Sequence, residues 1–221
     1  IARVLFGDVS PSGRLPTTHY TNALTARRAI SQMNLRAQGG ITYLHTTEDV
    51  LHPFGFGLSY TSFSFDVVSA GRVEVSATDM AEHHRHHRRD ARALLTPSPA
   101  RYTVNVTNAG DVPSAVSVLG FVSSDHADAP IKELFDFARL EMLKPQQSAV
   151  VELAVPPSVL ALVDAAGVKS VRAGEYRIQL GVEGAAEGLG ASASLAVTGA
   201  DAVLFSLPAQ RAAHARKRAA V

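Results

Sequence analysis

Two regimes of hydrophobic patterning meet at residues 51–65, LHPFGFGLSYTSFSF. Pro53, Gly55 and Gly57 punctuate an apolar run, predicting a tight turn with Phe54, Phe56 and Leu58 tucked inside. From Ser62 onward Phe63, Phe65 and Val67 alternate with Ser62, Ser64 and Asp66, the period of a half-buried strand. The same period returns at Tyr102, Val104 and Val106, with Arg101, Thr103, Asn105 and Thr107 facing out and a turn at Asn108-Ala-Gly-Asp111. Residues 115–123 form another apolar strand containing small residues. Ala149, Val151, Leu153 and Val155 alternate with Ser148, Val150, Glu152 and Ala154, predicting a strand covered on both faces that Pro156-Pro157 stops. A short helical turn is expected over 158–166. Tyr176, Ile178, Leu180 and Val182 then alternate with Glu175, Arg177, Gln179 and Gly181, and Leu195 and Val197 close the last strand. Short strands separated by Gly/Pro turns predict an all-β sandwich.

The chain before the junction reads differently. Residues 7–16 are rich in Gly, Ser and Pro and predict a surface loop, and 23–32 predict a short helix. Residues 76–100 interrupt the strand pattern with polar, locally basic sequence, including His83-His84-Arg85-His86-His87, and are expected to be an inserted loop. The domains expected are 1–60, 61–200 (carrying that insertion) and a basic Ala-rich tail at 201–221. With 221 residues the chain can bury a sizeable core. Its 21 basic and 20 acidic residues create no global field for nucleic acid or a membrane surface. The absence of cysteine excludes disulfides and thiolate chemistry. The opening IARVLFGD reads as an element already under way, so the chain is expected to be the C-terminal piece of something longer.

The motif PFGFGLSYTSF at 53–63 resembles the boundary signature of glycoside hydrolase family 3, between an α/β-sandwich domain and a fibronectin type III-like domain. VLFGDVSPSGRLP at 4–16 is similar to that family's PSGRLP turn. PIKELFDFAR at 130–139, Leu143-Lys-Pro145 and Ala173-Gly-Glu-Tyr176 resemble the type III-like domain. Met33-Asn-Leu-Arg36 followed by Gly39-Gly40-Ile41-Thr42-Tyr43 is similar to the xylosidase-like branch, with Ile41 and Leu44 where that branch carries arginines. The fold implied is mainly β: a fibronectin type III-like (immunoglobulin-like) β-sandwich preceded by an incomplete C-terminal piece of an α/β-sandwich domain. The resemblance implies a retaining β-glycosidase acting without a cofactor on terminal, non-reducing β-linked sugars. It also favours an extracellular or secretory setting.

Retaining hydrolysis needs two carboxylates about 5–5.5 Å apart, and the family carries both upstream of the region matched. Ser123-Ser124-Asp125 imitates a nucleophile motif in the wrong context, and Glu48-Asp49 reads as a solvated turn, so no catalytic residue is expected here. The substrate, a β-linked oligosaccharide or glycoside, would be met through the missing upstream domains. Tyr43 and His45 are the candidates for substrate contact, against a reading in which Tyr43 packs at the domain junction and His52 hydrogen-bonds within it. No metal site is expected at the His/Arg run 82–89, because Arg85, Arg88 and Arg89 repel a cation. Nucleic-acid binding is not expected either, since no aromatic residue lies between Phe65 and Tyr102. Asn105-Val106-Thr107 is an N-glycosylation sequon with Asn105 facing out. Lys132-Glu133 and Arg139 read as outward charges. The rival readings are a stand-alone interaction module and a carbohydrate-binding module, the second weakened by the lack of Trp.

Overall fold

Residues 1–69, 71–89, 98–182 and 190–206 are described by a computed structural model. The amino-terminal part contains α1 (Ala2–Leu5), β1 (His19–Tyr20), α2 (Ala23–Arg27) and β2 (Val50–His52), joined by long loops. After the junction follow β3 (Phe63–Val67), β4 (Arg72–Ser76), α3 (Ala77–Arg89), β5 (Arg101–Asn108), β6 (Ser114–Ser124), β7 (Glu133–Leu143) and β8 (Ser148–Ala154). A 3₁₀ turn at Pro157–Leu160 leads to β9 (Ala161–Val163), β10 (Val168–Val171), β11 (Gly174–Gly181), β12 (Ala191–Thr198) and β13 (Ala202–Ser206).

A three-stranded sheet, β3-β5-β8, faces a five-stranded one, β4-β12-β11-β6-β7, in the immunoglobulin-like manner. All pairs are antiparallel except β4 with β12. The alternation read from the sequence places Tyr102, Val104 and Val106 of β5 against Val116, Val118, Ile178, Leu180 and Leu195 of the facing sheet. The Tyr102 hydroxyl crosses this core and donates to the Ser194 carbonyl at 2.7 Å, so the buried phenol has its partner. Burial pushes its pKa up. Tyr176 is held in the same way by the carbonyls of Arg172 and Leu160.

Several elements differ from expectation. Across 76–100, Ala77–Arg89 is helical, with Ala77, Met80 and Ala81 buried against the core. Their i, i+3, i+4 spacing makes an inner face of one methionine and two alanines, only a faint apolar stripe in the sequence. Residues 90–97 lie outside the described residues. Beyond 200, Ala202–Ser206 forms β13, which pairs with β10 in a third sheet, β13-β10-β9; residues 207–221 lie outside the description. Only Ala23–Arg27 of the expected 23–32 helix is helical. The turn expected over 158–166 closes at Leu160 and continues as β9.

The strand expected to be covered on both faces, 148–155, is not: Val150 is 60% exposed. The doubly covered strand is β6. Its Val116, Val118 and Val122 face the sandwich core, while Leu119 and Phe121 point the other way and are buried beneath the amino-terminal part. An apolar run is what such a strand requires. Leu58, expected inside, is 68% exposed, and Leu5, Phe6, Ile30 and Met33 are also exposed.

Candidate functional site

The amino-terminal part is built around the two motifs that flank it. Leu15 N–H donates to the Phe56 carbonyl and Gly55 N–H to the Leu15 carbonyl, both at 2.8 Å, so the 7–16 loop pairs with the junction turn. Tyr60 N–H donates to Ser10 Oγ at 3.1 Å and the Tyr60 hydroxyl to the Val4 carbonyl at 2.7 Å. Gly57 is required by this approach, because a Cβ there would stand 2.4 Å from the Gly13 carbonyl oxygen.

Tyr43 lies where the two parts of the chain meet. Its ring stacks on Phe54 with centroids 4.3 Å apart and meets Phe121 edge-on at 6.0 Å, while Phe54 meets Phe121 edge-on at 6.1 Å. Lys132 Nζ sits 4.9 Å over the Phe121 ring, a cation–π contact. Leu134 N–H points to the Tyr43 hydroxyl at 3.4 Å. Burial raises the Tyr43 pKa, with the Leu134 N–H opposing that rise. This aromatic trio joins loop 42–54 to the outer face of β6. His52 stacks on Phe56 at 4.7 Å and lies 6.3 Å from His19, so it contributes a ring contact beside the turn.

The loop carrying Tyr43 and His45 is organised by a residue that the sequence reading did not single out. Arg28, 9% exposed, donates to the carbonyls of Ala37 at 2.6 Å and of Gln32 and Asn34 at 2.8 Å. A planar fork of donors can serve three carbonyls at once; an ammonium on a flexible stem cannot hold that geometry. Arg28→Lys is therefore expected to loosen residues 29–41 by about 1.5–3 kcal/mol per lost charged hydrogen bond. Amide hydrogen exchange would read this as lost protection in 29–41 with β5, β6 and β11 unchanged. Unchanged exchange in the loop would refute it. At the far end of the loop Gly40, with φ +79°, lets the backbone pass the His45 carbonyl, which a Cβ would approach to 2.2 Å.

His45 lines an open cleft of about 630 Å³ between this loop and β9–β10, with Glu133 and Lys169 on its other walls. Burial, followed by the charge of Arg36, lowers the His45 pKa, so the ring is neutral at neutral pH. Burial raises the Glu133 pKa against the opposing charge of Lys169. Glu133, expected as an outward charge, is thus half-buried. Arg139 reaches the amino-terminal loop instead of solvent alone, donating to Ser12 Oγ at 3.0 Å and Ser117 Oγ at 3.2 Å.

The other carboxylates of interest are occupied structurally. Asp125 is exposed and forks with Arg177, whose hydrogen bond lowers its pKa. Asp49 pairs with Arg27 at 2.8 Å, and Glu48 lies 3.9 Å from the same guanidinium. On α3 the His83 and His87 rings lie 3.9 Å apart, and His87 Nδ1 is 2.9 Å from the His83 carbonyl. Among the described residues no group of three or more His, Asp or Glu side chains is arranged to hold a metal ion. Among them, too, no helix is long and apolar enough to cross a membrane. Asn105 sits half-buried on the outer side of β5, in register with Asp66 and Val150.

Comparison with known proteins follows this architecture. Residues 118–183 match the fibronectin type III-like domain family. The chain is 35% identical over 188 residues to the probable exo-1,4-β-xylosidase bxlB of Aspergillus clavatus, covering 81% of this chain and 23% of that protein. It is equally 35% identical over 197 residues to a β-glucosidase of Rhizobium radiobacter, covering 82% of this chain and 21% of that one. Among solved structures it superposes on the GH3 exo-β-xylosidase XlnD, in complex with a xylobiose aziridine probe, with TM-score 0.80 and 25% identity. That match covers 96% of this chain and 28% of the other. The GH3 β-glucosidase of Bifidobacterium adolescentis gives TM-score 0.64 and 26% identity over 89% of this chain and 27% of that one. The chain spans about a quarter of the length of these relatives. The aromatic junction, the sandwich beneath it and these likenesses lead to one assignment: the chain belongs to glycoside hydrolase family 3, as a C-terminal region carrying the fibronectin type III-like domain.

Proposed function

We propose that this chain is the supporting, non-catalytic portion of a retaining β-glycosidase, more like the β-xylosidase branch than the β-glucosidase branch. The whole protein would hydrolyse terminal non-reducing β-linked sugars in polysaccharide breakdown. The observation that carries this reading is the extent of the likeness. The match to the exo-β-xylosidase structure runs through both the amino-terminal part and the sandwich, over 96% of the chain. A shared sandwich alone would support only a common module.

The part played by this chain is mechanical. Phe121 on β6 anchors Tyr43 and Phe54, fixing the attitude of loop 42–54 relative to the sandwich. The exposed Leu5, Phe6, Ile30 and Met33 leave apolar surface on the amino-terminal part, and upstream catalytic domains would cover it. The paired carboxylates described above serve arginines, leaving the two acids of retaining chemistry to those domains.

The test compares this chain with the protein extended by its upstream coding sequence, on aryl β-xyloside and aryl β-glucoside. The extended protein is expected to turn over the xyloside faster, and the isolated chain to turn over neither. Turnover by the isolated chain overturns its supporting role. An inert extended protein overturns the glycosidase reading.

A further inference from the structure

The cleft beside His45 brings together three polar groups from separate parts of the chain. His45 comes from loop 36–45, Glu133 from the start of β7 and Lys169 from β10. The cleft is held open by two clamps: Ile131 N–H donates to the Leu44 carbonyl at 2.8 Å, and Arg36 donates to the Asp128 carbonyl. Leu44, Pro130 and Leu162 supply apolar lining. Asp164 at the rim is already engaged, its Oδ1 accepting from the N–H groups of Ala166 and Val168 at 2.9 Å.

Among the described residues, the side chains of His45, Glu133 and Lys169 make no hydrogen bond and no ion pair. The Glu133 side chain is half-buried, and its carboxylate, with no protein donor among the described residues, stays open to water or to a ligand in the cleft. The three groups differ in what they offer. Glu133 accepts, Lys169 donates, and the neutral imidazole does one with each nitrogen. Arg36 neutralises Asp128 beside it, at 3.8 Å, so the cleft presents both signs without a strong field of either. Such a lining suits a neutral ligand bearing many hydroxyls, each able to donate and accept, with an apolar face for Leu162 and Pro130. The volume of about 630 Å³ lies within the range of small-molecule sites.

We propose that the cleft formed by His45, Glu133 and Lys169 is a non-catalytic binding site for a neutral oligosaccharide. The choice of β-linked sugar rests on the glycosidase reading above; the hydroxyl-binding chemistry does not. The site has no aromatic platform, so binding is weak and relies on hydrogen bonds to the charged groups. Its role would be to hold a segment of a longer glycan on the supporting part of the enzyme.

Titrating the isotopically labelled chain with xylotriose, followed by amide and side-chain NMR, tests this directly. Shifts are expected at residues 44–45, 133, 162–164 and 169. Glu133→Gln and Lys169→Met should each weaken binding by about tenfold, the loss of one hydrogen bond to a charged group, while their spectra show the native fold elsewhere. No shifts at millimolar xylotriose, or shifts that both variants leave unchanged, overturn the site. Preferential shifts with diglycine, a zwitterion of comparable reach, overturn the ligand class. Because binding to this chain involves no catalysis, the two readings fail separately. An extended enzyme that hydrolyses xyloside while the cleft binds nothing sinks only the cleft. Binding here with no turnover by the extended protein sinks only the glycosidase reading.

Discussion

Replacing Phe121 by alanine is expected to cost about 3–5 kcal/mol and to free the amino-terminal part before the sandwich unfolds. Large-to-small changes of a fully buried aromatic remove its transfer free energy and leave a cavity. Phe121 is fully buried, yet it belongs to the smaller of the two clusters, with Leu119, Leu134, Tyr43 and Phe54, and not to the sandwich core. Its loss removes both edge-on aromatic contacts and the surface beneath the Lys132 ammonium. The neighbours Gly120 and Val122 face the other way, so the core of β6 keeps its packing. Hydrogen exchange should therefore report lost protection across 1–60 while the amides of β5, β11 and β12 stay slow. Leu153→Ala, a truncation within the sandwich core, is the control expected to weaken the sandwich itself. If Phe121→Ala left the 1–60 amides as protected as before, the trio would not be what joins the two parts.

The same residue explains what the sequence could convey and what it could not. Strands β5 and β11 were legible because one face is wet and the other dry, so Tyr102, Val104, Val106 and Tyr176, Ile178, Leu180 alternate with polar neighbours. On β6 the second face is covered by a distant segment, and the alternation disappears into an apolar run. Local pattern reveals that both faces are covered but not by what. It also misleads: 148–155 carries Val150 and Ala154 on its outer side, and Val150 is simply exposed. Helix α3 was not legible because its buried residues are only Ala77, Met80 and Ala81, and the His/Arg run that follows them in the sequence reads as loop composition. The family resemblance came from turn motifs, whose glycines and prolines answer to local backbone geometry. The cleft is different in kind. His45, Glu133 and Lys169 are far apart in the chain, and Lys169 and Arg28 carry no motif at all; only the docked loop reveals them.

Asn108 read as the first residue of a turn, and its full part is visible only in three dimensions. It is wholly buried, and every bonding position of its side chain is used. Nδ2 donates to the carbonyls of Val112 at 2.9 Å and Leu143 at 3.0 Å. Oδ1 accepts from Thr61 Oγ1 at 2.6 Å and from Gly110 N–H at 3.2 Å. One amide thereby ties the junction after the hinge, the turn between β5 and β6, and the end of β7. Asn108→Asp keeps the shape and both acceptor bonds but replaces the two-donor amine with an oxygen facing two carbonyl oxygens. At neutral pH this variant is expected to lose about 3 kcal/mol or more, from the stranded carbonyls and the buried charge. The folded state would then disfavour the ionised carboxyl, raising its pKa above the unfolded value of about 3.9. With a raised folded pKa, the destabilisation is complete above that pKa and diminishes as pH falls through it toward the unfolded value. Protonation also returns one donor, to one of the two carbonyls. Denaturant melts of Asn108→Asp and the native chain between neutral and mildly acidic pH should therefore converge as the pH is lowered. A stability difference that stayed constant over that range would mean that position 108 is open enough for water to solvate the new charge, and the hub would have to be abandoned.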